Sequence, residues 1–206
     1  MSETVQALAQ SIRIDQADID SFRDGGWLTD TALRHAILSN VNFNSTIALA
    51  DPTWMYNWVR DGMPEPESLA FLEPNAEGYL PTSLVIPWNI GGVHWATLYV
   101  DFANYRISFF DSMASAVTTQ QANTAANRLF IILRTFFEVH GAGQLEFVVP
   151  TYGRQQDGYN CGVYACDAAI SLLSGKQPSK VSLTTARIRD LRTKGRNLAR
   201  AAMNDK

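Results

Sequence analysis

Cysteine is scarce in this sequence of 206 residues, with only Cys161 and Cys166 present. A framework of disulfides is therefore not what holds the fold together. The two thiols lie five positions apart in a stretch that reads as helix. Such positions point to different faces, which argues against a bridge between them. Histidine is equally sparse, with three, and none stands at ligand spacing from the cysteines. No metal site and no cofactor are expected. No apolar run approaches the ~20 residues of a membrane helix, so no membrane span is expected. The stretch Met1 to Gln10 has neither the basic start nor the long apolar block of a signal peptide. Two free thiols and no leader suit a reducing, intracellular setting. Repeats and low-complexity tracts are missing as well.

What is present is a good supply of core-forming residues. Hydrophobic residues make up 46% of the chain and aromatics 11%. That supports one domain over residues 1–206 and leaves little room for two. The net charge of −3 is unevenly placed. Residues 176–206 carry nine basic and two acidic residues, 9 − 2 = +7, which leaves 8 − 18 = −10 for residues 1–175. The basic end, 181–206, reads as a solvated C-terminal helix, with attraction to an acidic surface as the rival reading. An acidic body suits a basic protein partner and gives no reason to expect nucleic acid.

The centre of the chain is rich in strand patterns. Ser83 to Ile86, His94 to Phe102, Tyr105 to Phe110 and Leu145 to Val149 alternate or run apolar in short stretches. Helices are expected from Thr29 or Asp30, over 119–139, from Cys161 to Leu173, and at the basic end. Ser11 to Ile14 reads as extended, and Asp24-Gly25-Gly26 as a turn. Residues 51–80, rich in Pro, Glu and Gly, read as a variable, partly ordered excursion. Strands with helices on both sides imply an α+β domain with a mixed central sheet.

One set of residues carries chemistry. A thiol nucleophile needs a base, a group that orients the base, and donors for the oxyanion. Cys161 opens a helix behind Asn160, a candidate N-cap, where the positive helix end favours a thiolate. Gly162 allows a close approach of substrate. His94 opens a strand. If the hairpin turns at 103/104, paired residues sum to 207, so Asp111 faces Ala96 and lies diagonal to His94. A slip of one residue separates them. Gln155, or its neighbour Gln156, is placed to supply a second oxyanion donor. Each of these residues alone is more often plain packing or a solvated loop; the set is what points to a cysteine hydrolase. The order His, Asp, Gln, Cys excludes the usual papain order.

These residues resemble the Ulp/SENP cysteine proteases, which process SUMO and related modifiers. Trp27-Leu28-Thr29-Asp30 is similar to the family's W-L-x-D element. Ile86-Pro87-Trp88-Asn89 with His94-Trp95 is similar to its I-P-x-N…H-W pair. Phe110-Asp111-Ser112-Met113 and Gln155 through Cys161-Gly162 resemble its Y-D-S-M and Q-x-N-G-x-D-C-G segments. The resemblance implies a papain-like core in permuted order, with Cys161 as nucleophile, His94 as base, Asp111 as orienter and Gln155 as oxyanion donor. It further implies that Trp27 and Trp95 wall a slot for Gly-Gly, and that Asp30 pairs with a basic residue of the modifier. SUMO is the first candidate partner, with NEDD8 or ubiquitin next. Two departures stand out: Asn160 where the family has Asp, and Asp157 where it has Asn. An acetyltransferase with the same triad and a non-catalytic modifier-binding module are the competing classes. The nucleus or cytoplasm is the expected place of action, or a host cell for an exported effector.

Overall fold

The computed structural model describes residues 12–41, 44, 46–63, 69–74 and 78–204. Five strands form one mixed sheet: β1 (Ile47–Leu49), β2 (Ser83–Ile90), β3 (His94–Asp101), β4 (Arg106–Phe110) and β5 (Glu146–Val148). They lie in chain order across the sheet. β1 runs parallel to β2 and β5 parallel to β4, while the β2–β3 and β3–β4 pairs are antiparallel. The expected α+β class with a mixed sheet is what the chain forms.

Side chains of a strand alternate between faces, so two cores arise from one sheet. Leu84, Ile86, Trp88 and Ile90 of β2 share one face with Ala96, Leu98 and Val100 of β3. Helices α3 (Pro52–Arg60), α4 (Ala116–Ile132) and α5 (Arg134–Val139) cover it. Val85, Trp95 and Phe110 point to the other face. That side carries α1 (Gln16–Ser21), α2 (Asp30–Asn40), α6 (Cys161–Leu173) and α7 (Thr185–Asn204). Thr97 confirms the direction, since its hydroxyl donates to the Ala165 carbonyl of α6 at 3.2 Å.

The hairpin register is the expected one, with Thr97 opposite Phe110 and Leu98 opposite Phe109. β2 runs longer than its proline suggests. Pro87 has no N–H to give to a ladder, which normally ends a strand. Here β1 pairs only with Ser83 to Val85. The Val85 carbonyl accepts from Ala50 on that side. Two residues on, Pro87 turns its missing donor toward the same side, beyond the end of β1, so no bond is lost.

Other expectations need correction. The described part of the stretch 51–80 includes a packed helix that was not expected. Asp51 caps α3 by accepting from Thr53 N–H at 2.9 Å, and Pro52 occupies the first turn, where its missing donor is harmless. Met55 and Trp58 of this helix are buried, and Trp54 stacks on Trp58 at 5.6 Å. Residues 64–68 and 75–77 of that stretch lie outside the described residues, as does Ser11 of the expected extended start. The helix expected over 119–139 is two helices broken at Leu133. The basic C-terminal helix is no solvated tail. Leu191, Arg192, Gly195 and Ala199 of α7 are buried. A Cβ on Gly195 would lie 2.3 Å from the ring of Phe22, so only glycine lets α7 close on α1. Among the described residues no helix is long and apolar enough to cross a membrane.

Candidate active site

Cys161 is the first residue of α6 and is buried. Asn160 occupies the N-cap position, yet its side chain makes no capping bond. This corrects the expectation for Asn160. Its Nδ2 donates to Asp157 Oδ2 at 2.8 Å. Its Oδ1 accepts from Arg192 Nε at 3.0 Å and Nη2 at 2.8 Å. The first bond within the helix runs from Tyr164 N–H to the Asn160 carbonyl at 3.1 Å. The N–H groups of Cys161, Gly162 and Val163 therefore have no partner inside the helix. They add a positive end to the helix beside the sulfur, suited to a thiolate and to a developing oxyanion.

β3 and the end of β4 bring His94 and Asp111, the candidate base and its partner, together. His94 Nε2 lies 2.7 Å from Asp111 Oδ1. Asp111 is completely covered, and the His94 side chain is only 12% exposed. The carboxylate is fixed by two further donors, Met113 N–H to Oδ1 at 2.7 Å and Thr118 hydroxyl to Oδ2 at 3.0 Å. With Nε2 committed to Asp111, Nδ1 is the nitrogen left for Cys161. Burial lowers the His94 pKa; the hydrogen bonds to Asp111 and Cys161, and their charges, outweigh it and raise the value to about 9. The imidazolium is thus the stable form at neutral pH, as a thiolate–imidazolium pair requires.

Gln155 is buried and Gln156 is exposed. The Gln155 side chain accepts from the Ser112 hydroxyl at 2.6 Å and donates to the Asp157 carbonyl at 2.7 Å. Those two bonds fix which end of the amide carries the protons. One of its two N–H donors remains for another acceptor. Ser112 follows Asp111 directly, so the Gln155 loop is tied to the strand end that carries the carboxylate.

The two tryptophans differ. Trp27 is 52% exposed, whereas Trp95 is buried. The Trp95 indole N–H donates to the Leu28 carbonyl at 2.9 Å. A Cβ on Gly162 would meet Leu28 Cβ at 3.0 Å and Trp95 Cδ1 at 3.2 Å. The space that Gly162 leaves open is therefore filled by Leu28 and Trp95, not kept for a substrate. Trp95 props the segment that presents Trp27. Asp30 is exposed in the first turn of α2, and Thr29 does the capping by accepting from Ala32 N–H at 3.1 Å.

Sequence reasoning missed Ser112, Thr118 and Arg192. Ser112 and Thr118 carry no signal, being small polar residues near a turn. Arg192 has one: it occupies a buried stripe with Leu191, Gly195 and Ala199, where a charge needs a reason.

Comparison with known proteins bears on the family and the fold. A family model, the C-terminal catalytic domain of the Ulp1 protease family, matches residues 82–204. A protein of Acanthamoeba polyphaga mimivirus described as a thiol protease is 27% identical over 85 residues, which is 41% of this chain and 26% of that protein's length. Among solved structures, the SUMO protease Ulp1 with its catalytic cysteine oxidised to a sulfenic acid superposes with a TM-score of 0.67 at 16% identity, over 100% of this chain and 96% of that one. The Xanthomonas campestris effector XopD, solved bound to ubiquitin, gives 0.53 at 19% identity, over 82% and 90%. At these identities the structural likeness establishes the fold. The family match spans more than half the chain, and the protein therefore belongs to the Ulp1 protease family of cysteine proteases.

Proposed function

We propose that this protein cleaves after the C-terminal Gly-Gly of a ubiquitin-like modifier, with SUMO as the first candidate. The observation that carries the proposal is the 2.7 Å His94–Asp111 contact set beside a cysteine on an uncapped helix N-terminus. In the resting pair the proton of the Cys161 thiol already sits on His94 Nδ1, which leaves a thiolate. The thiolate attacks the carbonyl carbon of the terminal glycine. The oxyanion is met by N–H groups at the start of α6 and by Gln155 Nε2. On collapse the C–N bond breaks, and the departing amine takes the proton from His94. Water, with its proton drawn off by His94, then hydrolyses the thioester. Asp111 keeps Nε2 protonated and steadies the imidazolium.

Substrate choice rests on the flank of the site. On this reading Trp27 serves as one wall of a slot too narrow for a Cβ, which its 52% exposure supports, and the buried Trp95 backs that wall rather than forming the second one. Asp30 is placed to meet a basic residue of the modifier. SUMO takes first place because the Ulp1 structure that this fold matches is a SUMO protease. Ubiquitin is the second reading, favoured by the ubiquitin-bound XopD structure. An intracellular place of action goes with either. The deciding experiment incubates the protein with SUMO, NEDD8 and ubiquitin carrying a C-terminal electrophile. A covalent adduct on Cys161 with one of them is expected. No adduct with any, from folded protein, would overturn the proposal.

A further inference from the structure

Arg192 is 4% exposed, and its guanidinium lies between α7, the cysteine loop and residues 21–26. All its nitrogens donate. Nε reaches Asn160 Oδ1 at 3.0 Å. Nη1 reaches the carbonyls of Ser21 at 3.2 Å and Arg23 at 2.9 Å. Nη2 reaches the carbonyl of Gly26 at 2.8 Å, that of Tyr159 at 3.3 Å, and Asn160 Oδ1 at 2.8 Å. None of these acceptors is charged. A buried cation among neutral groups is costly unless its geometry does something else.

The negative charges that act on Arg192 stand beyond these acceptors: Asp24 and, three positions before Asn160, Asp157. Asp157 accepts from the backbone N–H of Tyr159 at 3.0 Å and of Asn160 at 2.8 Å, and from Asn160 Nδ2 at 2.8 Å. Burial pushes its pKa up, but these bonds and the charge of Arg192 more than offset that and hold it below the usual carboxylate range. The chain Asp157–Asn160–Arg192 is thus a relay through an amide. It pulls the Asn160 side chain away from the helix end. Had Asn160 capped α6, an N–H beside Cys161 would be occupied.

We propose that Arg192 is a positioning residue for the reaction: its planar fork fixes the loop that ends at Cys161 and ties it to the loop that ends at Trp27. The proposal rests on Cys161 being the nucleophile. One guanidinium holds both sides of the site, residues 21–26 and 159–160, against α7. The Asp and Asn that depart from the family pattern fit this arrangement, because the carboxylate and the amide are both present with their places exchanged. Lysine keeps the charge but has three donors on a flexible stem and no planar fork.

The test is Arg192→Lys in the full chain. Folding is checked by circular dichroism and by the labelling of Cys166, which stays shielded while the core is intact. Two readouts follow: the rate of Cys161 alkylation by iodoacetamide, measured by mass spectrometry, and kcat and KM on a modifier bearing a C-terminal fluorophore. A fall of roughly 10- to 100-fold in the alkylation rate and in kcat, with KM little changed, is expected from a misplaced nucleophile. Wild-type values for both in folded Arg192→Lys would overturn the proposal. If that variant does not fold, Asn160→Asp and the exchange Asp157→Asn/Asn160→Asp decide. The single change sets two carboxylates against each other and slows Cys161 alkylation; the exchange restores one donor and one acceptor and recovers it. A fast single variant, or an exchange as slow as the single, would overturn the proposal. Alkylation needs no modifier, so it tests the positioning even if the wild type cleaves none of the modifiers offered.

Discussion

The contact between His94 and Asp111 makes a pH-dependent contribution to stability that can be measured. The His94 pKa is raised from its ordinary 6.5 to about 9 in the folded protein. Each pKa unit is about 1.4 kcal/mol, so the shift corresponds to about 3 kcal/mol of stability. The folded value lies above the unfolded one. The contribution is therefore fully present below about pH 6.5 and is lost as pH rises through about 9. The perturbation is Asp111→Asn, which removes the main group favouring the imidazolium. It also disturbs the contacts to Met113 N–H and the Thr118 hydroxyl. Neither of those titrates in this window, so they lower the variant's stability by a constant amount and add no slope. Urea unfolding of both proteins at several pH values from about 6 to 10 gives two curves. Their difference is expected to shrink by about 2 to 3 kcal/mol across that range. Parallel curves would refute the reasoning, because they would mean that His94 gains no proton affinity from Asp111.

Further expectations concern the thiols and the tryptophans. Cys161→Ala is expected to abolish turnover with the melting temperature little changed. Cys166→Ala is expected to keep most activity, since burial pushes that thiol up to about 12 and leaves it inert; an inactive Cys166→Ala protein that is folded would reverse the assignment. Trp27→Ala removes an exposed ring and is expected to narrow the preference for Gly-Gly over Gly-Ala tails at unchanged stability. The preference itself is expected to be about 5- to 150-fold, the rate equivalent of about 1–3 kcal/mol of overpacking. Trp95→Ala truncates a buried indole and is expected to cost about 3–5 kcal/mol, read as a lower melting temperature. Equal stability in the two tryptophan variants would contradict their different burial.

The parts of the site set by short-range pattern were legible in the sequence. His94 and Asp111 meet because both belong to one hairpin, and its turn sets the pairing of every residue along it. Cys161 begins a helix at the position that the apolar run and the preceding turn residues imply. What escaped depends on partners far away in the chain. Asn160 is a good capping residue by type, but Arg192, thirty-two positions on, competes for its side chain and wins. Pro87 ends strands as a rule, but the rule holds only where a neighbour needs the missing donor, and β1 stops short of it. The helix from Pro52 was hidden by the Pro- and Glu-rich residues around it, although Asp51-Pro52 is itself a start signal. The role of α7 was hidden because periodicity shows that a stripe is buried and not what it is buried against.

The clamp around Arg192 joins groups up to 171 positions apart in the chain. During synthesis the N-terminal segment, His94, Asp111 and Cys161 are all made before Arg192. Domains begin to organise from the N-terminus as the chain emerges. Here the loop before Cys161 lacks its hydrogen bonds to Arg192 until α7 has been added and has folded back. A nascent chain halted before α7 would carry His94, Asp111 and Cys161, with the hairpin pair in place, but without the clamp that joins residues 159–160 to residues 21–26. The order of translation thus acts as a delay, which ends when α7 packs against residues 21–26.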